Sequence, residues 1–213
     1  MSARNRKNDH VTVTVSRDVT LPAVTKRLPV TGHSIAVPPG LVLYADGCCE
    51  PNPGIGGWGF VVYRDGVEVH AESGGDGEAT NQRMELVAAI RAVQWLTANV
   101  GSGFANVRLL SDSAYVVNGS NDWRHKWKAR GWRRKSAESA EKNQQIANLD
   151  LWKALDAALT VVPIELEWVK GHCGIIGNER ADELSLIGRE TVFDRSPTTL
   201  DQIRHQLDYS SRI

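Results

Sequence analysis

The stretch Leu41–Tyr63, LVLYADGCCEPNPGIGGWGFVVY, decides the fold. Leu41, Val42, Leu43, Tyr44 and Ala45 form a short apolar run of the kind that builds a central strand covered on both faces, and the run ends in a carboxylate, Asp46. The segment Gly47–Gly57, with Pro51, Pro53, Gly54 and Gly56, reads as a wide turn, and the apolar run resumes at Trp58 as a strand antiparallel to the first. An ionisable group at the end of a buried strand is costly unless it is paired or binds a cation. Taken alone, this stretch also permits a lone Asp that caps the turn. The rest of the chain argues against that alternative.

Working outward, GWGFVVYRDGVEVHAESG at 57–74 reads as strand, turn, strand, with Asp65-Gly66 as the hairpin signal. The chain then becomes helical, with Thr80 or Asn81 as the cap. Glu85 shares its helix face with Ala88, Ala89 and Ala92, small residues that let a helix lie close on a sheet, so the glutamate is expected to face the sheet. Asn106–Ser111 is another short apolar strand, and it too runs into a carboxylate, Asp112, followed by the helical start SAYVVNG. In NDWRHKWKARGWRRK, residues 121–135, seven Lys or Arg are interleaved with Trp123, Trp127 and Trp132. Such a stripe suits a phosphate backbone, the tryptophans either stacking on nucleic acid or holding the segment in shape.

Residues 136–143 read as a flexible connection, Gln144–Leu159 as an amphipathic helix and Ile164–Val169 as a strand. Gly171–Gly177 is a glycine-bounded loop carrying His172, and a helix over Asn178–Ile187 carries Asp182. The expected organisation is an N-terminal extension over 1–40, a central domain over 41–188 and a C-terminal tail over 189–213. In the extension, VTVTVS at 11–16 is an edge strand or half of a hairpin; in the tail, a short helix is expected over 198–208.

The 213 residues carry 25 basic and 25 acidic side chains, so a polyanionic partner must be met by local segregation of charge, as in the basic segment. Three cysteines, Cys48, Cys49 and Cys173, make no disulfide framework and suit a reducing compartment; a zinc site using them with His172 lacks a Cys-x-x-Cys pair. No apolar run approaches the ~20 residues of a membrane span, and the N-terminus has no signal-peptide core. A soluble, cytoplasmic protein is expected.

Asp46, Glu85, Asp112 and Asp182 come from four elements that one mixed sheet with flanking helices can bring together. Four clustered acids repel one another and imply bound cations. Oxygen ligands without thiolate select hard ions, magnesium first and manganese as a substitute. Two ions sharing Asp46 would clamp a phosphodiester on both sides.

The runs YADGCCEPNPGIGGWG, ATNQRMELVAAI, LLSDSAYVVNG, the basic segment through DLWKALDAAL, and WVKGHCGIIGNERADEL lie in one order over about residues 41–188. In these runs the sequence resembles type 1 ribonuclease H of the bacterial kind. The resemblance implies an α/β fold with a five-stranded mixed sheet flanked by helices on both faces. It implies endonucleolytic hydrolysis of the RNA strand of an RNA–DNA hybrid, leaving 5′-phosphate and 3′-hydroxyl ends. It makes Asp46, Glu85, Asp112 and Asp182 ligands of two Mg²⁺ ions and gives His172 a part in proton transfer and product departure. It places Asn52, Thr80, Asn81 and Gln82 against the hybrid, and the segment with Trp123, Lys126, Trp127, Lys128, Arg130 and Trp132 against the DNA strand. A monomer is expected.

The chain departs from the family at Gln82, where asparagine is common, and at Ala114, where a longer polar residue often meets the substrate. The connection after the basic segment is long, and residues 1–40 have no counterpart in the minimal bacterial enzyme. A detached reverse-transcriptase domain is the near rival, against which stands the lack of a polymerase segment before residue 41. A catalytically silent hybrid-binding module would require the loss of an acid, and none is lost.

Overall fold

The computed structural model describes residues 11–14, 34–100, 106–135 and 145–193. Strands β1 (Val11–Thr14), β2 (Leu41–Cys49), β3 (Gly54–Arg64) and β4 (Val67–Ala79) lead into helix α1 (Asn81–Asn99). Then come β5 (Val107–Ser111), α2 (Ala114–Asn118), a π-helical turn (Gly119–Trp123), α3 (Arg124–Ala129), α4 (Leu149–Val161), β6 (Leu166–Trp168) and α5 (Ile176–Phe193).

One sheet has the order β1-β4-β3-β2-β5-β6. The pairs β1–β4, β4–β3 and β3–β2 are antiparallel, whereas β2–β5 and β5–β6 are parallel. Strands β2 to β6 are the expected five-stranded mixed sheet. To these β1 adds a sixth at the edge of β4, pairing from Val11↔Gly75 to Thr14↔Glu72, so the alternating VTVT run covers an edge that would otherwise be open. At the β3–β4 turn, Asp65 (φ 51°) and Gly66 (φ 79°) both take the left-handed conformation that a two-residue hairpin requires.

Apolar packing on both faces explains why β2 reads as an unbroken apolar run. Leu43 and Ala45 join the larger core beneath α1 and α4, while Val42 and Tyr44 join the smaller core with Ala181 and Leu184 of α5. Helix α1 turns its alanines inward as expected: Ala88, Ala89 and Ala92 are fully buried.

Several boundaries differ from those read in the sequence. Helix α4 begins at Leu149 because Asn148, at φ 57°, lies in the left-handed region and interrupts the helical path. Strand β6 is confined to Leu166–Trp168. Helix α5 extends beyond both expected ends and past the domain boundary drawn at 188. Gly188 does not stop it: a Cβ there would lie 2.2 Å from the Gly74 carbonyl oxygen, so its bare backbone lets the helix lie against β4. The connection over 136–143 and the short helix over 198–208 fall outside the described residues.

Candidate active site

Parallel pairing of β2 with β5 runs as far as Tyr44↔Leu110, and two further residues along each strand bring Asp46 alongside Asp112. Because side chains alternate across a strand, both carboxylates fall on the face of Tyr44 and Leu110, which is the face covered by α5 and its Asp182. Asp46 is only 8% exposed, and its Oδ1 accepts a hydrogen bond from the Gly47 N–H at 2.7 Å.

Glu85 reaches the same place from the opposite side. A Cβ on Gly47 would sit 2.2 Å from the Glu85 backbone nitrogen, so the absence of a side chain there admits the first turns of α1 to the end of β2. Thr80 caps that helix, its Oγ1 accepting from the Arg83 N–H at 3.3 Å. Asn81 Nδ2 donates to Glu85 Oε1 at 3.0 Å and Ser113 Oγ donates to Glu85 Oε2 at 2.7 Å. Asp112 is fixed twice: Asn178 Nδ2 donates to its Oδ2 at 3.1 Å, and Trp168 Nε1 donates to its main-chain oxygen at 3.0 Å.

Asp46, Glu85 and Asp182 are all raised from the usual carboxylate range. Burial above all, then the negative charges of Asp112, Asp182 and Glu85, push Asp46 up to about 7 against the opposing Gly47 hydrogen bond. Glu85 is raised by burial and by Asp112, and the hydrogen bonds from Ser113 and Asn81 resist the rise. Asp182 is raised by burial, with His172 acting in the other direction. His172, Glu179 and Asp182 also bring ligand atoms within 4.8 Å of one another. A crowded set of carboxylate oxygens, one of them held well above its usual range, fits a hard divalent cation that would relieve the repulsion. The thiols fit this role poorly: Cys48, Cys49 and Cys173 are unpaired, and burial pushes Cys48 and Cys49 up, away from the thiolate form.

Asn178, Ser113, Trp168 and Glu179 were not read from the sequence as members of this site. Glu179 carried a signal, since it lies three residues before Asp182 on one helix and hence on the same side. Ser113 and Trp168 carried none, because they meet their partners across 28 and 56 residues of chain.

Among the expected substrate contacts, Asn52 Oδ1 accepts from the Asn81 N–H at 3.3 Å, which joins the turn after β2 to the cap of α1 beside Glu85. Gln82 is exposed on the first turn of the same helix. The basic segment is tied to the fold more firmly than a solvated loop. Trp127 packs against Trp152 of α4 at 5.4 Å between ring centroids and against Trp123 at 5.9 Å. Trp127 and Trp132 both rest on the larger core, so these tryptophans hold the segment in shape. Trp123 and Trp127 also line a cavity of about 410 Å³ with Tyr115, Arg134, Ile146 and Ala147.

The cations of the segment divide into two groups. Arg124 Nη1 and Lys128 Nζ converge on the buried Asp156 at 2.7 and 2.8 Å and hold its carboxyl below the usual range in spite of burial. Lys126 pairs at the surface with Asp122 at 2.7 Å, and Arg130 Nη1 reaches the Arg134 carbonyl at 3.4 Å.

Fold and site together define an α/β protein of the ribonuclease H-like class, with an acidic centre at the ends of its two adjoining central parallel strands. The sequence profile of the family RNase H matches residues 38–189. The chain belongs to the RNase H family. A ribonuclease H of Caulobacter sp. (strain K31) is 44% identical over 151 residues, covering 70% of this chain and 90% of that protein. Among solved structures, LC9-RNase H1, described as a type 1 RNase H with the type 2 active-site motif, superposes with a TM-score of 0.56 at 30% identity, over 74% of this chain and 75% of that one. A foamy viral protease-reverse transcriptase in complex with RNA/DNA hybrid superposes with a TM-score of 0.58 at 26% identity, over 82% of this chain and 24% of that one. No helix among the described residues is long and apolar enough to cross a membrane.

Proposed function

We propose that this protein hydrolyses the RNA strand of RNA–DNA hybrids as an endonuclease, leaving 5′-phosphate and 3′-hydroxyl ends. The observation that carries the reading is the convergence of Asp46, Glu85, Asp112 and Asp182 from three elements of secondary structure and the end of β5, with Asp46 held at about 7 by burial and by its neighbours. Relatives named ribonuclease H support the substrate class.

In this reading the four carboxylates hold two Mg²⁺ ions, for which Mn²⁺ substitutes. Metal held there would supply activation of a water nucleophile and charge stabilisation at the departing oxygen. Asp46, which feels the charge of each of the other three acids, would be the ligand common to both ions. Asn81 and Ser113 orient Glu85, and Asn178 orients Asp112, so that neither carboxylate has to reorganise during reaction. His172, beside Asp182 and exposed to solvent, moves a proton and assists product departure.

The tied pair Asn52 and Asn81, with Thr80 and Gln82, contacts the hybrid next to Glu85. The basic segment presents Lys126, Arg130 and the half-buried Trp123, Trp127 and Trp132 to the DNA strand, together with Lys128, whose exposed side chain also pairs with the buried Asp156. The protein acts as a monomer in the cytoplasm.

Incubation of the protein in magnesium with matched RNA–DNA, RNA–RNA and DNA–DNA duplexes tests the proposal. A site that contacts 2′-hydroxyls on one strand and requires their absence on the other selects the hybrid. Equal cleavage of RNA–RNA and RNA–DNA sinks the reading, as does hybrid binding without cleavage.

A further inference from the structure

The family match begins at residue 38, yet the chain makes a specific contact before that point. Ile35 forms a parallel bridge with Ile175, in the loop that follows His172. The Ile35 N–H donates to the Gly174 carbonyl at 2.8 Å, and the Ile176 N–H donates to the Ile35 carbonyl at 3.2 Å. Two residues on, Val37 packs with Ile175 against the core beneath α5, whereas the Ile35 side chain is 52% exposed. The contact at Ile35 is therefore made by backbone, and it is seated by Val37.

The loop it grips is tightly drawn. His172 has φ 51° and Gly174 φ 84°, so two of three successive residues lie in the left-handed region, which is costly for a histidine and needs external support. On the other side the Gly174 N–H donates to Glu179 Oε1 at 3.2 Å, and the Glu179 N–H to the Ile175 carbonyl at 3.0 Å. Glu179 also stands within 4.8 Å of the ligand atoms of His172 and Asp182. Gly174 is thus held at both its N–H and its carbonyl, one by α5 and the other by the segment ahead of β2.

We propose that residues 34–37 are a strap that positions the His172 loop for the hydrolytic reaction, and that the backbone N–H and carbonyl at position 35, not the Ile35 side chain, do the positioning. The inference rests on the assignment of His172 to proton transfer. It adds that the chain supplies, from outside the matched family region, backbone hydrogen bonds that hold the imidazole where Asp182 and Glu179 meet it. A group misplaced by about 1 Å costs up to roughly 10²-fold in rate, so release of one hydrogen bond of the strap is expected to cost turnover several-fold to about 30-fold.

The test uses full-length protein in magnesium with an RNA–DNA hybrid. Ile35→Pro removes the N–H that bonds Gly174, and Ile35→Ala keeps both backbone bonds and removes only the exposed side chain. The expected result is a lower kcat with little change in KM for Ile35→Pro, near wild-type kinetics for Ile35→Ala, and faster amide hydrogen exchange at Ile176 in the proline variant. The discriminating measurement repeats Ile35→Pro in a His172→Ala background, where the proline should cost nothing further, because the group it misplaces is gone. Wild-type turnover in Ile35→Pro, or the same fold-loss with and without His172, overturns the strap. Wild-type turnover in His172→Ala alone overturns instead the assignment of the histidine.

Discussion

Gly47 and Glu85 are in backbone contact: a Cβ on Gly47 would stand 2.2 Å from the Glu85 nitrogen and 2.3 Å from the Met84 carbonyl carbon. The closeness of helix to strand is what delivers a helical glutamate to an aspartate at the end of a sheet. Gly47→Ala should therefore push α1 outward, lower stability by about 1–3 kcal/mol and reduce cleavage by more than that loss explains. Denaturant melts beside kcat at saturating hybrid provide the check; a variant as active and as stable as wild type would show that α1 tolerates displacement.

Asp46→Asn should abolish cleavage while keeping the fold, since an amide supplies no charge for a cation. Its effect on stability without metal has a sign. The folded-state pKa of Asp46 is raised from 3.8 to about 7, so protonation favours the folded protein; that contribution is fully present below pH 4 and is lost as pH rises through about 7. The shift corresponds to something on the order of 4 kcal/mol across the window. In chelator, wild type should thus lose stability from pH 4 to pH 8 by this route, and Asp46→Asn should lose less and melt higher at pH 8. Parallel melting curves for the two proteins would refute the crowding of the acids.

His172→Ala should slow turnover by roughly 10²- to 10⁴-fold, the range of a lost proton-transfer group. Magnesium affinity, followed by calorimetry with the metal alone, should change far less than it does in Asp46→Asn. Unaltered turnover would make the histidine a bystander.

The basic segment gives opposite expectations for neighbouring lysines. Lys126→Ala and Arg130→Ala together should raise KM for hybrid and flatten its salt dependence, by up to roughly 0.9 in log–log slope per lost phosphate contact on B-form DNA. Lys128→Ala should chiefly cost stability, because it leaves the buried Asp156 with Arg124 as its remaining cation. Asp156→Asn sharpens the contrast: it adds to the net positive charge of the segment, yet should weaken hybrid binding by loosening α3 from α4. Tighter binding in that variant would show that charge alone, without placement, sets the affinity.

Much of this protein was legible in its sequence because the decisive signals are local. The apolar run ending in Asp46, the Asp65-Gly66 turn, the alanine face of α1 and the basic segment with its tryptophans each follow from side chains within a few residues of one another. The alternation of residues 11–14 likewise marked a strand in search of an edge, although its partner β4 could not be named.

What required the tertiary structure are relationships between elements distant in the chain. Which face of β2 meets α5, and so which acids share a side, depends on strand order and register, which are set when two cores close on opposite faces of the sheet. The pairing of Lys128 depends on Asp156, a residue 28 positions away, and packing of α3 on α4 buries that carboxylate between two cations. Gly188 becomes a contact within the helix because Gly74 lies beneath it. Ile35 had no legible role, since its contribution is backbone N–H and carbonyl, which are the same in every non-proline residue and acquire a purpose only when the fold sets Gly174 and Ile176 beside them.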